Sequence, residues 1–204
     1  MTAGSRLVVA TTNPNKLREI RGILDGTGVQ VAGLEAFPPL AEPDETGTTF
    51  AENARQKAAY YSTALGAVVV AEDSGLEVDG LGGEPGVHSA RYAGDSGERE
   101  ERDARNNDKL IAALASFPDR RAYYYCAMVL VRHAADPQPL IGEGYWWGEI
   151  IADARGGNGF GYDPHFFLPE LGRTAAELDP EQKNRISHRG QALRQLVDKL
   201  RSFP

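Results

Sequence analysis

The run from Arg6 to Leu24 constrains the fold more than any other part of the chain. Leu7, Val8, Val9 and Ala10 are consecutive apolar residues, as in a strand buried on both faces. Asn13-Pro14 follows, an asparagine suited to cap a helix and a proline suited to its first position. Leu17, Ile20, Ile23 and Leu24 then recur with helical spacing until Gly26–Gly28 stops them. A buried strand that turns directly into a helix opens an α/β fold.

The later pattern agrees. Val29–Ala32 reads as a second strand, and Phe37–Gly47 as a loop rich in proline and acid. Thr49-Phe50-Ala51-Glu52 fits a capping box, so a helix is expected to about Leu65. Ala67–Ala71 reads as a short buried strand and Gly75–Gly97 as a glycine-rich stretch with little periodicity. A helix is expected near Glu100–Ala115, striped by Leu110, Ile111 and Leu114. Ala122–Arg132 is a long strand with both faces apolar; Leu140–Ala152 reads as its antiparallel partner, bulged near Gly142–Gly144. The last helix, about His188–Arg201, has Ser187 as cap and Leu193, Leu196, Val197 and Leu200 as its buried stripe. The result is a mixed α/β pattern without repeats or a linker; its strand order is not legible.

Charge and composition narrow the function. A formal charge of −7 over 204 residues argues against broad nucleic-acid binding, which depends on neutralising phosphates. A nucleotide in one local basic pocket remains compatible with it. The densest charge cluster, Gly97–Asp108, reads as a solvated helix start. No apolar run approaches the ~20 residues that span a bilayer, and Met1–Asn13 does not read as a signal segment. The single Cys126 cannot form an intrachain disulfide and sits in an apolar run, as a small core residue in a reduced, cytoplasmic setting.

Three segments carry chemistry. Thr11-Thr12-Asn13-Pro14-Asn15-Lys16 lies where a strand becomes a helix. Helix-start N–H groups, hydroxyls and one lysine suit phosphate, although simple capping by Asn13 beside a solvated Lys16 explains the same residues. No GxxxxGK[ST] loop is present. Glu72-Asp73-Ser74-Gly75 follows a short apolar strand, where carboxylates of an α/β sheet often face a ligand. With Glu45 from the acidic loop, Asp73 offers hard oxygen ligands for Mg²⁺, or a base for an attacking water. An Asp-Ser-Gly turn is the plain alternative. Gly156–Leu193 holds a glycine-rich loop with Phe160, Gly161, Tyr162 and Asp163, then Lys183, His188 and Arg189. An aromatic face, a carboxylate and clustered donors suit a purine, but they also suit a surface turn and a charged helix.

Together these blocks resemble the inosine/xanthosine triphosphate pyrophosphatase, or Ham1-like, family. The likeness runs from Val8 to about Leu196 through TTNPNKLREI, DETGTTFAENARQKA, AEDSGLEVDGLGGEPGVHSARYAG, GFGYDP and KNRISHRGQAL. Five blocks in the family's order are far more specific than any one.

The resemblance implies an elongated α/β fold, a mixed sheet with flanking helices and two lobes around a central nucleotide cleft. It implies one Ham1-like domain over residues 1–204 and a homodimer. The implied reaction is Mg²⁺-assisted hydrolysis of ITP, dITP and XTP to the monophosphate and pyrophosphate, by water attack at the α-phosphate. By position, Thr11–Lys16 and Lys57 would hold the triphosphate, Glu45 and Asp73 the metal, and Asp73 would accept the proton. Ser74 would touch substrate, Phe160–Asp163 would line the nucleoside pocket, and Lys183, His188 and Arg189 would read the base. Many relatives carry a second aspartate where this chain has Glu72, whose role stays open between metal support and catalysis. Related pyrophosphatases of the Maf-like group and a silent nucleotide sensor are the competing readings.

Overall fold

The computed structural model describes residues 6–201; part of the N-terminal segment read above, residues 1–5, lies outside it. One mixed seven-stranded sheet has the order β2-β1-β3-β4-β5-β6-β7. Its strands are β1 Arg6–Ala10, β2 Gln30–Gly33, β3 Val69–Val78, β4 Arg121–Val131, β5 Leu140–Ile150, β6 Phe166–Leu168 and β7 Arg173–Thr174. The helices are α1 Pro14–Leu24, α2 Phe50–Leu65, α3 Arg99–Leu114, α4 Pro180–Ile186 and α5 His188–Arg201. β1 runs parallel to both β2 and β3, whereas β6 is antiparallel to β5 and to β7.

The chain forms two compact units, which β3, β4 and β5 enter in turn. The first holds the described residues up to 73, residues 126–144 and the described residues from 188 onward. Here Leu7, Val9, Val70, Met128 and Leu130 pack against α1 and α5 through Leu17, Ile20, Leu193 and Leu196. Val8, Ala10, Val69, Ala71 and Val129 face the other way, against Ala54, Ala58 and Tyr61 of α2. Consecutive strand residues point to opposite faces, so the two apolar sets alternate along β1 and β3.

Capping explains where these helices begin. The Asn13 side chain accepts from the N–H groups of Asn15 and Lys16, and Thr49 and Glu52 form the expected reciprocal box on α2. Gly142 and Gly144 lie where β5 approaches α5 closely in backbone terms. A Cβ at Gly142 would meet the carbonyl of Ala192, and one at Gly144 the carbonyl of His188. The missing side chains let β5 lie directly against the α5 backbone.

The second unit, residues 74–125 and 145–187, has its own core. Leu76, Val78, Leu110, Leu114, Tyr124, Trp146, Tyr162 and Phe166 form it. Three sequence expectations change here. The third strand does not end at Ala71 before a turn; it runs on to Val78, because Leu76 and Val78 alternate into this second core and the Leu76 N–H is bonded by Ser89 Oγ at 2.9 Å. An extra helix, α4, forms between Pro180 and Ile186, with Asp179 accepting from the Gln182 N–H. The Gly97–Asp108 cluster is not simply solvated, since Asn106 is buried and bonds the main chain of Ser89, Ala90 and Ala93. Among the described residues, no helix is long and apolar enough to cross a membrane.

Candidate active site

In the first unit, parallel pairing sets Ala10 of β1 beside Ala71 of β3. The turn Thr11–Asn13 therefore leaves the sheet next to Glu72 and Asp73. β1 has β2 on one side and β3 on the other, the arrangement at which α/β sheets bind ligands beyond their carboxyl ends. Thr11 Oγ1 accepts from the Asn13 N–H at 3.1 Å, and Asn13 Oδ1 takes up the next two helix N–H groups. Capping thus occupies those donors in this structure, leaving side chains as the main positive charge at the turn.

Glu72 and Asp73 are neighbours in sequence on opposite faces of β3. Glu72 lies on the α1/α5 face, almost wholly buried. Its Oε2 accepts from Arg189 Nε at 3.0 Å and from the Cys126 thiol at 3.1 Å. Lys16 Nζ lies 3.0 Å from Oε1, an ion pair without the alignment of a hydrogen bond. Arg189 also donates through Nη1 to Glu19. Burial would raise the Glu72 pKa, but Arg189 and Lys16 reverse that and hold the carboxyl well below its usual range. Arg189, fully buried, is in turn held charged by Glu72 and Glu19 against its own burial. Cys126 is a core residue, its thiol pushed up by burial and by Glu72.

Asp73 points to the α2 face. Its Oδ2 accepts from Asn53 Nδ2 at 3.0 Å, and Asn53 Oδ1 accepts from the Gly47 N–H at 2.8 Å. Asn53 therefore ties the acidic loop to the strand. Lys57 Nζ forms an ion pair with Glu45, lies 3.9 Å from Asp73 Oδ1, and donates to the Glu72 carbonyl at 3.1 Å. Burial raises the Asp73 pKa above its ordinary value, with Lys57 and Lys16 opposing. The Lys57 pKa is also raised: burial would lower it, but Asp73 and Glu45 prevail. Two carboxylates thus converge on one ammonium.

In the second unit, Asp163 is the buried hub of the glycine loop. Its Oδ2 accepts from the Phe160 N–H at 2.8 Å and from Lys183 Nζ at 2.6 Å, and its Oδ1 from Tyr124 OH at 3.3 Å. Lys183 Nζ stands 5.0 Å from the centre of the half-buried Phe160 ring. Tyr162 points inward and donates to the Ser89 carbonyl at 2.8 Å. Ser74 is half-buried on β3 in this unit.

The structure brings Lys16 together with Glu72, Lys57 with Glu45 and Asp73, and Lys183 with Phe160 and Asp163. It divides the KNRISHRG block: Lys183 belongs to the second unit, and His188 and Arg189 open α5 in the first. Sequence reasoning missed Glu19 and Asn53. A signal for Asn53 existed, since Phe50, Asn53, Ala54, Lys57, Ala58 and Tyr61 follow the spacing of one helix face. Two polar residues on an otherwise apolar stripe mark a buried polar contact.

By architecture this is a mixed α/β protein with polar sites built around the end of β1 and the middle of β3. The chain belongs to the Ham1 family, whose pattern matches residues 7–199. It is 54% identical over 198 residues to a Burkholderia pseudomallei protein named dITP/XTP pyrophosphatase, covering 97% of this chain and 94% of that one. It is equally 54% identical, over 196 residues, to a Nitrosomonas europaea protein of the same name, at 96% and 94% coverage. A solved Ham1 protein from Coxiella burnetii superposes with a TM-score of 0.87 at 43% identity, covering 98% of this chain and all of that one. The Staphylococcus aureus Ham1 protein gives 0.83 at 39% identity, covering 97% and 98%.

Proposed function

We propose that this chain is a nucleoside triphosphate pyrophosphohydrolase that converts dITP, XTP and ITP to the monophosphate and pyrophosphate, clearing deaminated purines from the nucleotide pool. The observation that carries the reading is Lys57 held between Glu45 and Asp73, with Lys16 on the adjacent strand residue Glu72. Cations poised beside carboxylates suit a polyphosphate accompanied by a metal. The names of the relatives, at about half identity over nearly the full chain, support the substrate class. The family match runs without interruption from residue 7 to 199, which supports one Ham1-like domain.

Among the described residues no cluster of three or more His, Cys, Asp or Glu could hold a metal by itself. Glu45 and Asp73 nevertheless fit Mg²⁺, a hard cation commonly held by one or two carboxylates, with substrate phosphates and water supplying the rest. Bound there, Mg²⁺ supplies neutralisation of the phosphate charge. Lys16 and Lys57 add to that neutralisation, and Thr11, Thr12, Asn13 and Asn15 orient the phosphates. Asp73, its pKa raised by burial and its carboxylate oriented by Asn53, takes the proton from the water attacking the α-phosphorus. Pyrophosphate leaves without a covalent intermediate, since positioning and charge stabilisation carry such reactions.

Phe160 stacks on the base, and Lys183, a donor without acceptor capacity, reads the O6 of a 6-oxo purine. Adenine offers an amino group at that position and would leave donors facing one another. His188 and Arg189 join the base-reading set by family position, and Arg189 also braces Lys16 through Glu72. A cytoplasmic setting agrees with a chain whose single cysteine is buried. A homodimer agrees with the exposed Tyr145 and Trp147, which lie beside Tyr123 on one aromatic face.

The deciding experiment incubates the purified chain with ITP or ATP, with and without Mg²⁺, and separates the products by ion exchange. IMP and pyrophosphate from ITP, little turnover of ATP, and none after chelation are expected. IDP and orthophosphate would move attack to the γ-phosphate and overturn the mechanism. Saturable ITP binding without turnover would make the chain a sensor.

A further inference from the structure

The loop that carries Phe160 flanks it with glycines. Its sequence is Asn158-Gly159-Phe160-Gly161-Tyr162, and both glycines have positive φ, +77° and +64°. Glycine on each side gives the chain more freedom than any other residue, so a fixed ring direction requires restraint from outside. On the amino side, Asp163 supplies it by accepting the Phe160 N–H.

On the carboxyl side the restraint comes from α3, the helix inside the charged GEREERDARNND stretch. Asp103 Oδ2 accepts from the Gly161 N–H at 3.0 Å. Asn107 Nδ2 donates to the Gly161 carbonyl at 2.9 Å and to the Asp103 carbonyl, also at 2.9 Å. Two side chains one helical turn apart therefore hold both main-chain polar atoms of one glycine. The peptide planes before and after Phe160 are each pinned by a carboxylate, which sets φ and ψ of Phe160 and hence the direction of its Cα–Cβ bond. Asp103 and Asn107 continue the stripe of Leu110 and Leu114 toward the helix start, so these polar residues replace apolar ones on the inward face.

We propose that Asp103 and Asn107 are positioning residues for base binding: they clamp Gly161 so that the Phe160 ring is held ready to stack on the purine. The proposal rests on the reading of Phe160 as the stacking residue. The clamp touches no reacting group, so its loss acts on substrate binding and leaves the chemical step nearly intact.

The test is a double-mutant cycle on ITP hydrolysis. Asp103→Ala should raise KM for ITP roughly tenfold, the scale of one charge-assisted hydrogen bond, and Asn107→Ala roughly three- to tenfold, the scale of a neutral one, each with kcat within about threefold of wild type. Asp103→Asn keeps an acceptor oxygen and should return KM to within about threefold. In a Phe160→Ala background, Asp103→Ala should add nothing further to KM, because its effect passes through the ring. An unchanged KM in both alanine variants, or the same penalty with and without Phe160, overturns the proposal. If Asp103→Ala fails to fold, Asn107→Ala carries the cycle. Amide hydrogen exchange at Phe160 and Gly161 needs no substrate and should quicken at least roughly tenfold in Asn107→Ala. Unchanged exchange refutes the clamp, whereas faster exchange in a protein whose wild type turns over no nucleotide instead refutes the pyrophosphohydrolase reading.

Discussion

Replacing Glu72 with glutamine tests whether the buried charges beneath the site act as one unit. Glu72 is the carboxylate shared by Arg189 and Lys16, and the buried Arg189 pairs with both Glu72 and Glu19. Removing one member of a buried ion pair while leaving the other charged typically costs about 3–5 kcal/mol. Glutamine keeps an oxygen that can accept from Arg189 Nε, so the loss should sit near the lower end, about 3 kcal/mol. For a chain of this length that is a fall in Tm of roughly 6–12 °C. Glu72→Asp keeps the charge and should recover most of the loss. The pH dependence carries a sign. The folded pKa of Glu72 is depressed below its ordinary 4.5, so its stabilisation is complete above that value and is lost as pH falls through the folded pKa. Urea denaturation of wild type and variant should therefore show the full gap at pH 7, narrowing only below about 4.5. A gap under about 1 kcal/mol at pH 7, or one that widens in acid, would refute the reasoning.

Asp73→Asn should lower kcat by roughly 10²- to 10⁴-fold. Its stability at pH 7 should be unchanged or higher, because the raised folded pKa means that wild type loses stability as pH rises through it; a clearly destabilised variant in urea would contradict this. Lys57→Met leaves Glu45 and Asp73 facing each other without their shared cation, and kcat/KM for ITP should fall roughly 30-fold or more in steady-state assays. Gly144→Ala places a methyl against the His188 carbonyl and should cost about 1–3 kcal/mol by thermal denaturation, since the opposing atoms are helix backbone.

Much of the first unit is local, and local patterns are legible. The β1–α1 junction, the Asn13 cap, the Thr49 capping box and the last helix each follow from residues within a few positions of one another. What failed was decided at a distance. β3 seemed to end at Ala71 because Glu72-Asp73-Ser74-Gly75 has the chemistry of a turn; the strand continues because Leu76 and Val78 find a second core. The charges of Gly97–Asp108 look solvated until Ser89, Ala93 and Gly161, far along the chain, supply partners for Asn106 and Asp103. Family position groups Arg189 with Lys183, and no local pattern announces that its Nε and Nη1 also bond Glu72 and Glu19.

The amino-acid sequence by itself determined the α/β class, most element boundaries and the family, and it named the candidates for phosphate chemistry, because periodicity, capping and motif order are properties of short segments. Only the tertiary structure decided which carboxylate meets which lysine. Strand alternation sends Glu72 and Asp73 to opposite faces of one sheet. Which helices wait on those faces depends on a strand order that no local pattern encodes, and that order gives one carboxylate to Arg189 and Lys16 and the other to Asn53 and Lys57.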